Sequence, residues 1–268
     1  MPIFDPGTFR QFLGEAVCCS SDVWGTEQHY VVSGTSLEQY EQLLKDTIYH
    51  HHSSFDFANE IADVGYPLTA QAMRQRDSGN PADHNTQMGN LGEVLGAEFA
   101  RAFLGMQTTL VLPKRLNPNV DQSMKGADII GLRDSHQPPE LLFGESKCDT
   151  HFSKRSIDEG YDHLVDLHAQ DASRMLRFVK EVLRLKGDKE QLANVDRHMA
   201  HGVPRLSLIL AVTQSAPQAP FDVVAERFKQ EPLPQLVAVH IRICDLTRKA
   251  TKDEDDQEES WLSKLFAP

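Results

Sequence analysis

The chain has 268 residues, 40% of them hydrophobic and 25% charged, a balance that fits one large or two small globular domains and gives no support to disordered, collagen-like or membrane-embedded classes. Its net charge of −12 speaks against a free-standing DNA binder, because phosphate contacts require local Lys and Arg. No apolar run approaches a membrane span, and the start Met1-Pro2-Ile3-Phe4-Asp5-Pro6 lacks the basic and apolar regions of a signal peptide, so a cytoplasmic location is expected. Cys18, Cys19, Cys148 and Cys244 form no Cys-x-x-Cys pair and have no His at zinc-finger spacing; reduced thiols are expected.

In chain order, the first predicted element is an amphipathic helix from Ser36 to about Tyr49, with Leu37, Tyr40, Leu43, Leu44 and Ile48 at helical spacing and Ser36 as its N-cap. The His50-His51-His52 run at its end is better suited to a helix terminus than to metal binding, since adjacent helical residues point in different directions. Residues 77 to 88, rich in Asp, Asn, Ser, Gly and Pro, read as a loop and as the best candidate boundary. A helix follows from Asn90 to Leu104, its stripe formed by Leu91, Val94, Leu95, Phe99 and Phe103. Strands are predicted at Gln107 to Leu112, Ala127 to Leu132 and Glu140 to Lys147, the last two joined by a polar hairpin connection. Ser156-Ile157-Asp158-Glu159 fits a capping box and opens a helical stretch reaching about Leu185, with a break near Ala169 to Asp171. A helix from Lys189 to Met199, a buried central strand from Leu206 to Val212, a helix from Phe221 to Phe228 and a half-buried strand from Val237 to Ile243 complete the pattern. The fold class is therefore α/β, a mixed central sheet flanked by helices.

Three regions are expected: an α/β N-terminal elaboration packed on the core over residues 1–80, a core over 81–247, and an acidic C-terminal tail over 248–268. Asp253, Glu254, Asp255, Asp256, Glu258 and Glu259 concentrate six negative charges in that tail. It reads as a flexible, solvated segment, with an acidic arm that fills a basic groove as the functional alternative.

Chemistry concentrates in Gly126-Ala127-Asp128-Ile129-Ile130-Gly131 and Gly144-Glu145-Ser146-Lys147. An acid opening one strand and a Glu-x-Lys closing the next place two carboxylates and an ammonium together over a phosphodiester. Glu145 and Lys147 are two positions apart and share a strand face, roughly 6.6 Å apart along its axis. Mg²⁺ prefers oxygen ligands and retains several waters, so Asp128 and Glu145 suffice as protein ligands, with Mn²⁺ as the substitute ion. Lys147 takes an electrostatic role, orienting the attacking water or neutralising the phosphate. Glu93 has two readings: a helix carboxylate that completes the metal shell, or the third helical residue after an Asn90 N-cap. Without metal, the bland account is a strand-opening Asp and an exposed strand ion pair worth little. No phosphate-binding Gly-x-x-x-x-Gly-Lys-Ser/Thr loop or Gly-x-Ser-x-Gly elbow is present. His151, His163, His168, His198 and His201 are scattered, and the pair His198 and His201 has no third zinc ligand nearby.

Leu91-Gly92-Glu93-Val94-Leu95, then Lys125-Gly126-Ala127-Asp128-Ile129-Ile130, then Leu142-Phe143-Gly144-Glu145-Ser146-Lys147 resemble the PD-(D/E)XK nuclease superfamily. More narrowly, the chain resembles the HamA nuclease subunits of Hachiman anti-phage defence systems over about residues 88 to 215. The Pro expected before the family's Asp is Ala127 here. The resemblance implies a restriction-endonuclease-like fold, a Mg²⁺ site at Asp128 and Glu145 with Lys147, and Glu93 as the helix ligand. It also implies DNA as substrate and a helicase-like, HamB-like ATPase partner that restrains the nuclease. The alternatives are a sequence-specific restriction endonuclease and a non-catalytic nuclease-like assembly subunit.

Overall fold

The structure is a computed structural model that describes residues 4–16, 18–19, 25–52, 84–111, 126–133, 140–151, 153–169, 176–177, 179–180, 183–184, 189–201, 205–214, 221–244, 246 and 261–266. Its elements are α1 (Pro6–Leu13), β1 (Cys18–Cys19), β2 (Thr26–Val32), α2 (Gly34–His52), α3 (His84–Phe103), β3 (Thr108–Val111), β4 (Ile129–Arg133), β5 (Glu140–Asp149), α4 (Lys154–Ala169), α5 (Lys189–His201), β6 (Arg205–Thr213), α6 (Asp222–Gln230), β7 (Leu236–Ile243) and α7 (Trp261–Leu265). The strands form one mixed sheet in the order β1-β2-β7-β6-β5-β4-β3. The central ladders β2–β7, β7–β6 and β6–β5 are parallel, while β5–β4, β4–β3 and β1–β2 are antiparallel. This is the expected α/β class, a mixed sheet between helices in a restriction-endonuclease-like arrangement.

Alternation along the strands splits the core in two. Leu208, Leu210 and Val212 of β6 join Ile129, Leu142, Val239 and Ile241 on one face, covered by α1, α2, α3 and α7. Ile209 and Ala211 join Ile130, Phe143 and Ala238 on the other, covered by Ile157, Tyr161 and Leu164 of α4, Val195 of α5 and Val223 and Val224 of α6. β6 is buried nearly end to end, as its continuous apolar run requires.

Several helix starts differ from expectation. α3 begins at His84, within the segment read as a loop, because the apolar stripe extends back to the buried Met88. Asn90 is therefore an interior helical residue, 1% exposed, and the N-cap reading of Asn90 with Glu93 is excluded. Ser33, not Ser36, caps α2, its Oγ accepting the Ser36 N–H at 3.2 Å. Likewise Ser153 Oγ accepts the Ser156 N–H at 3.2 Å at the start of α4, and Glu159 pairs with Arg155 at 2.7 Å instead of closing a capping box. In each case a serine three residues upstream serves the same orphan donor.

The strand Thr26–Val32 and helix Pro6–Leu13 are elements the apolar pattern did not announce. The polar hairpin connection and the acidic run from Asp253 to Glu259 lie outside the described residues. The end of the tail departs from a solvated reading: Leu262, Leu265 and Phe266 are buried against the α2/α3 face.

Candidate active site

β4 and β5 pair antiparallel with Ile129 opposite Gly144, which brings Asp128 alongside the Glu145–Lys147 segment. Alternation puts Glu145 and Lys147 on the face of Leu141 and Phe143, beneath α4. Asp128 is tied to that strand directly, since the Ser146 backbone N–H donates to its Oδ2 at 2.9 Å. Lys147 Nζ lies 3.5 Å from Glu145 Oε2. The three residues expected to form the core of the site are thus together, and the hairpin is what joins them.

The electrostatics are those of a crowded carboxylate pair. Glu145 is 1% exposed. Asp128 is pushed up to about 7, first by burial and then by the Glu145 charge, while the Ser146 N–H, Lys147 and His163 pull it back. His163, on α4, places Nδ1 2.8 Å from Glu145 Oε1. This is an ion-pair approach at hydrogen-bond distance, its angle short of regular hydrogen-bond geometry. Hydrogen bonding with the Glu145 carboxylate first, reinforced by its charge, raises the His163 imidazole above its ordinary value, against the opposing effect of burial. Gly160 lets α4 come this close: a Cβ there would stand 3.1 Å from Lys147 Cε. His163 was one of the histidines that looked scattered in sequence. Its signal was its placement one helical turn beyond Gly160, legible only once α4 is laid over β5.

Glu93 is placed differently. α3 packs on the opposite face of the sheet, where a Cβ on Gly92 would meet Ser146 Oγ at 2.5 Å and Cys148 Cβ at 2.9 Å. The half-buried Glu93 follows directly on that contact. Among the described residues no three His, Cys, Asp or Glu side chains converge as a metal-ligating group. Two carboxylates with water completing the shell are nonetheless enough for Mg²⁺. The donor set suits such an ion: hard carboxylate oxygens, with the ionisation of Asp128 disfavoured by burial first and by the Glu145 charge second.

The remaining sequence candidates have other roles. His51 lies within α2, its Nε2 2.8 Å from Glu98 Oε1, a hydrogen bond that holds it in place. Cys148 is a free thiol whose ionisation is driven well upward, chiefly by burial, so it is an inert wall residue. The side chains of His198 and His201 lie outside the described set. A cavity of about 190 Å³ opens beside the site, lined by Ser146, Lys147, Ser153, Ser156 and Thr213 among others. Among the described residues no helix is long and apolar enough to cross a membrane.

Comparison with known proteins gives two results. A family model described as HamA matches residues 24–206. The Hachiman protein HamA of Bacillus cereus is 36% identical over 115 residues, covering 43% of this chain and 40% of that protein, so the similarity spans less than half of the relative. With well over half of its length inside the family model, the chain belongs to the HamA family.

Proposed function

We propose that this chain is a metal-dependent DNA nuclease, the effector subunit of an anti-phage defence complex in which a helicase-like ATPase partner restrains cleavage. The observation that carries the reading is the convergence of Asp128, Glu145 and Lys147 on one hairpin, two carboxylates and an ammonium at the distances given above. A structural ion pair has no use for a second buried carboxylate. The Asp128 and Glu145 charges disfavour one another in that position, and a divalent cation relieves both. Asp128 and Glu145 would hold Mg²⁺, or Mn²⁺ in its place, with Glu93 supporting the ion's outer shell from α3. The ion would supply Lewis-acid activation of the phosphodiester and of water.

The chain's own groups do the rest. The Ser146 N–H keeps Asp128 turned toward β5. Lys147 neutralises charge on the phosphate and orients the attacking water, an electrostatic role suited to a partly covered ammonium. The net charge of −12 supports dependence on a partner for engaging DNA. Membership of the HamA family supports the defence setting, since the Bacillus cereus relative is a Hachiman protein.

The test is incubation of the protein, alone and with the proposed helicase-like ATPase partner, with plasmid DNA in Mg²⁺ or EDTA. Loss of DNA that requires Mg²⁺ and falls at least about a hundredfold in Glu145→Ala and Lys147→Ala is expected. Equal degradation by wild type and both variants would sink the assignment. Discrete fragments would point to a restriction endonuclease, and Mg²⁺-independent DNA binding without cleavage to an assembly subunit.

A further inference from the structure

Glu145 is the buried carboxylate of the candidate site, 1% exposed, and a carboxylate taken that far from water needs donors or cations around it. Two side chains approach it from different elements. Lys147 Nζ lies 3.5 Å from Oε2, at the outer limit of a hydrogen bond, on a flexible four-carbon stem that is 34% exposed. His163 Nδ1 lies 2.8 Å from Oε1. The imidazole turns about only two bonds, so of the two groups it is the one that can hold the carboxylate in a single orientation.

The helix that carries His163 is itself fixed. Ile157, Tyr161 and Leu164 of α4 are buried against the sheet. The Tyr161 hydroxyl donates to the Glu231 carbonyl at 2.6 Å, and Asp162, the residue before His163, pairs with Arg227 of α6. Gly160, one turn earlier, removes the side chain that would hold α4 away: a Cβ there would stand 3.1 Å from Lys147 Cε and 3.8 Å from Glu145 Cβ. The placement of Nδ1 over Oε1 is therefore built into the packing. Asp128 is held in a comparable way, its Oδ2 accepting the Ser146 N–H at 2.9 Å. One oxygen of each acid is tied to the protein.

We propose that His163 is a positioning residue whose Nδ1–H holds Glu145 Oε1, so that Oε2, beside Lys147, is the oxygen turned to a divalent ion; this role rests on the reading of Asp128 and Glu145 as ion ligands. An ionised carboxylate only accepts, so the imidazole carries its proton on Nδ1 in this contact whatever its charge. That requirement separates His163 from a ligand, because a nitrogen that bears a proton has no lone pair for a metal. Partners of this kind, behind a ligating carboxylate, change metal affinity by about ten- to hundredfold.

Mn²⁺ binding to the full chain, followed by the EPR signal of the ion, tests this without reference to cleavage; the site is defined as the binding lost in Glu145→Ala. His163→Ala, at a side chain 39% exposed, is expected to weaken that binding about tenfold. His163→Asn sets an amide N–H where Nδ1 stood and is expected to restore affinity to within about threefold of wild type. Wild-type affinity in His163→Ala would overturn the proposal. So would a His163→Asn protein no better than His163→Ala, since ring charge or direct ligation would then be the cause. Spin-echo modulation from ¹⁴N on the bound Mn²⁺ that disappears in His163→Ala would make His163 a ligand and overturn it as well. In the plasmid assay the half-saturating Mg²⁺ concentration is expected to follow the same order. Mn²⁺ bound through Glu145 with no cleavage by wild type removes the nuclease reading, and the two variants still decide the role of His163. Absence of Glu145-dependent Mn²⁺ binding removes the ion site and this proposal with it.

Discussion

Two glycines three residues apart in α3 give opposite answers to the same substitution. Alanine is favoured over glycine in a helix interior by about 1 kcal/mol, so Gly→Ala should stabilise wherever the new methyl meets nothing. At Gly89 nothing lies within 4 Å of the added Cβ, and Gly89→Ala should gain that full amount. At Gly92 the Cβ would stand 2.9 Å from Cys148 Cβ and 2.5 Å from Ser146 Oγ. The hydroxyl can rotate away, but Cys148 Cβ is anchored to the β5 backbone and cannot. The helix must lift, at an overpacking cost of about 1–3 kcal/mol. Gly92→Ala is thus expected to be less stable than Gly89→Ala by about 2 kcal/mol, the propensity term cancelling between them. In urea this separates their midpoints by roughly 0.7–1 M at an m-value of about 2–3 kcal/mol/M. Equal stabilisation by both substitutions would refute the close approach of α3 to β5. Because that approach backs Ser146, whose N–H holds Asp128, Gly92→Ala should also slow cleavage about tenfold under conditions where it is fully folded.

Glu93→Gln should raise the Mg²⁺ concentration for half-maximal cleavage about tenfold while leaving the maximal rate nearly intact, as expected of an outer-shell carboxylate; abolished cleavage at saturating Mg²⁺ would make Glu93 a direct ligand. Glu98 is 1% exposed between His51 and Arg101, the latter 2.5 Å away. Glu98→Ala strands the guanidinium and should cost about 3 kcal/mol in urea unfolding, whereas Glu226→Ala, at an exposed pair with Lys154, should cost under about 0.5 kcal/mol. His240 is depressed to about 4 from 6.5, so its neutral form contributes stability that is present above 6.5 and lost as pH falls toward 4, about 3 kcal/mol at the limit. Asp128, raised from 3.8 to about 7, works with the opposite sign: its contribution is present below 3.8 and lost as pH rises through 7. The difference between wild type and His240→Gln, measured by urea unfolding at pH 7.5 and 4.5, isolates the histidine. An identical acid loss in both proteins would show that His240 does not titrate below its ordinary range.

Local pattern determined much of this protein. The continuous apolar run at Leu206 to Val212 had to be an interior strand, and two-residue alternation was enough to put Glu145 and Lys147 on one side of β5. The short motif likewise named Asp128, because strand pairing after a hairpin leaves few partners for Glu145. Helix starts were less legible, since Ser33 and Ser36, or Ser153 and Ser156, are equivalent as caps until the chain's path selects one. Thr26–Val32 carries Glu27, Gln28 and His29, too polar to announce a strand, and becomes one by adding to the edge of β7.

Side-chain relations between distant segments were decided by the tertiary structure alone. Sequence spacing could join Asp128 to Glu145, but nothing in it could lay His163 over that carboxylate or set α3 on the opposite face from Lys147. The physical reason is that periodicity encodes which face a residue occupies within its own element, whereas strand order and the glycine-permitted approach of helices decide which faces meet.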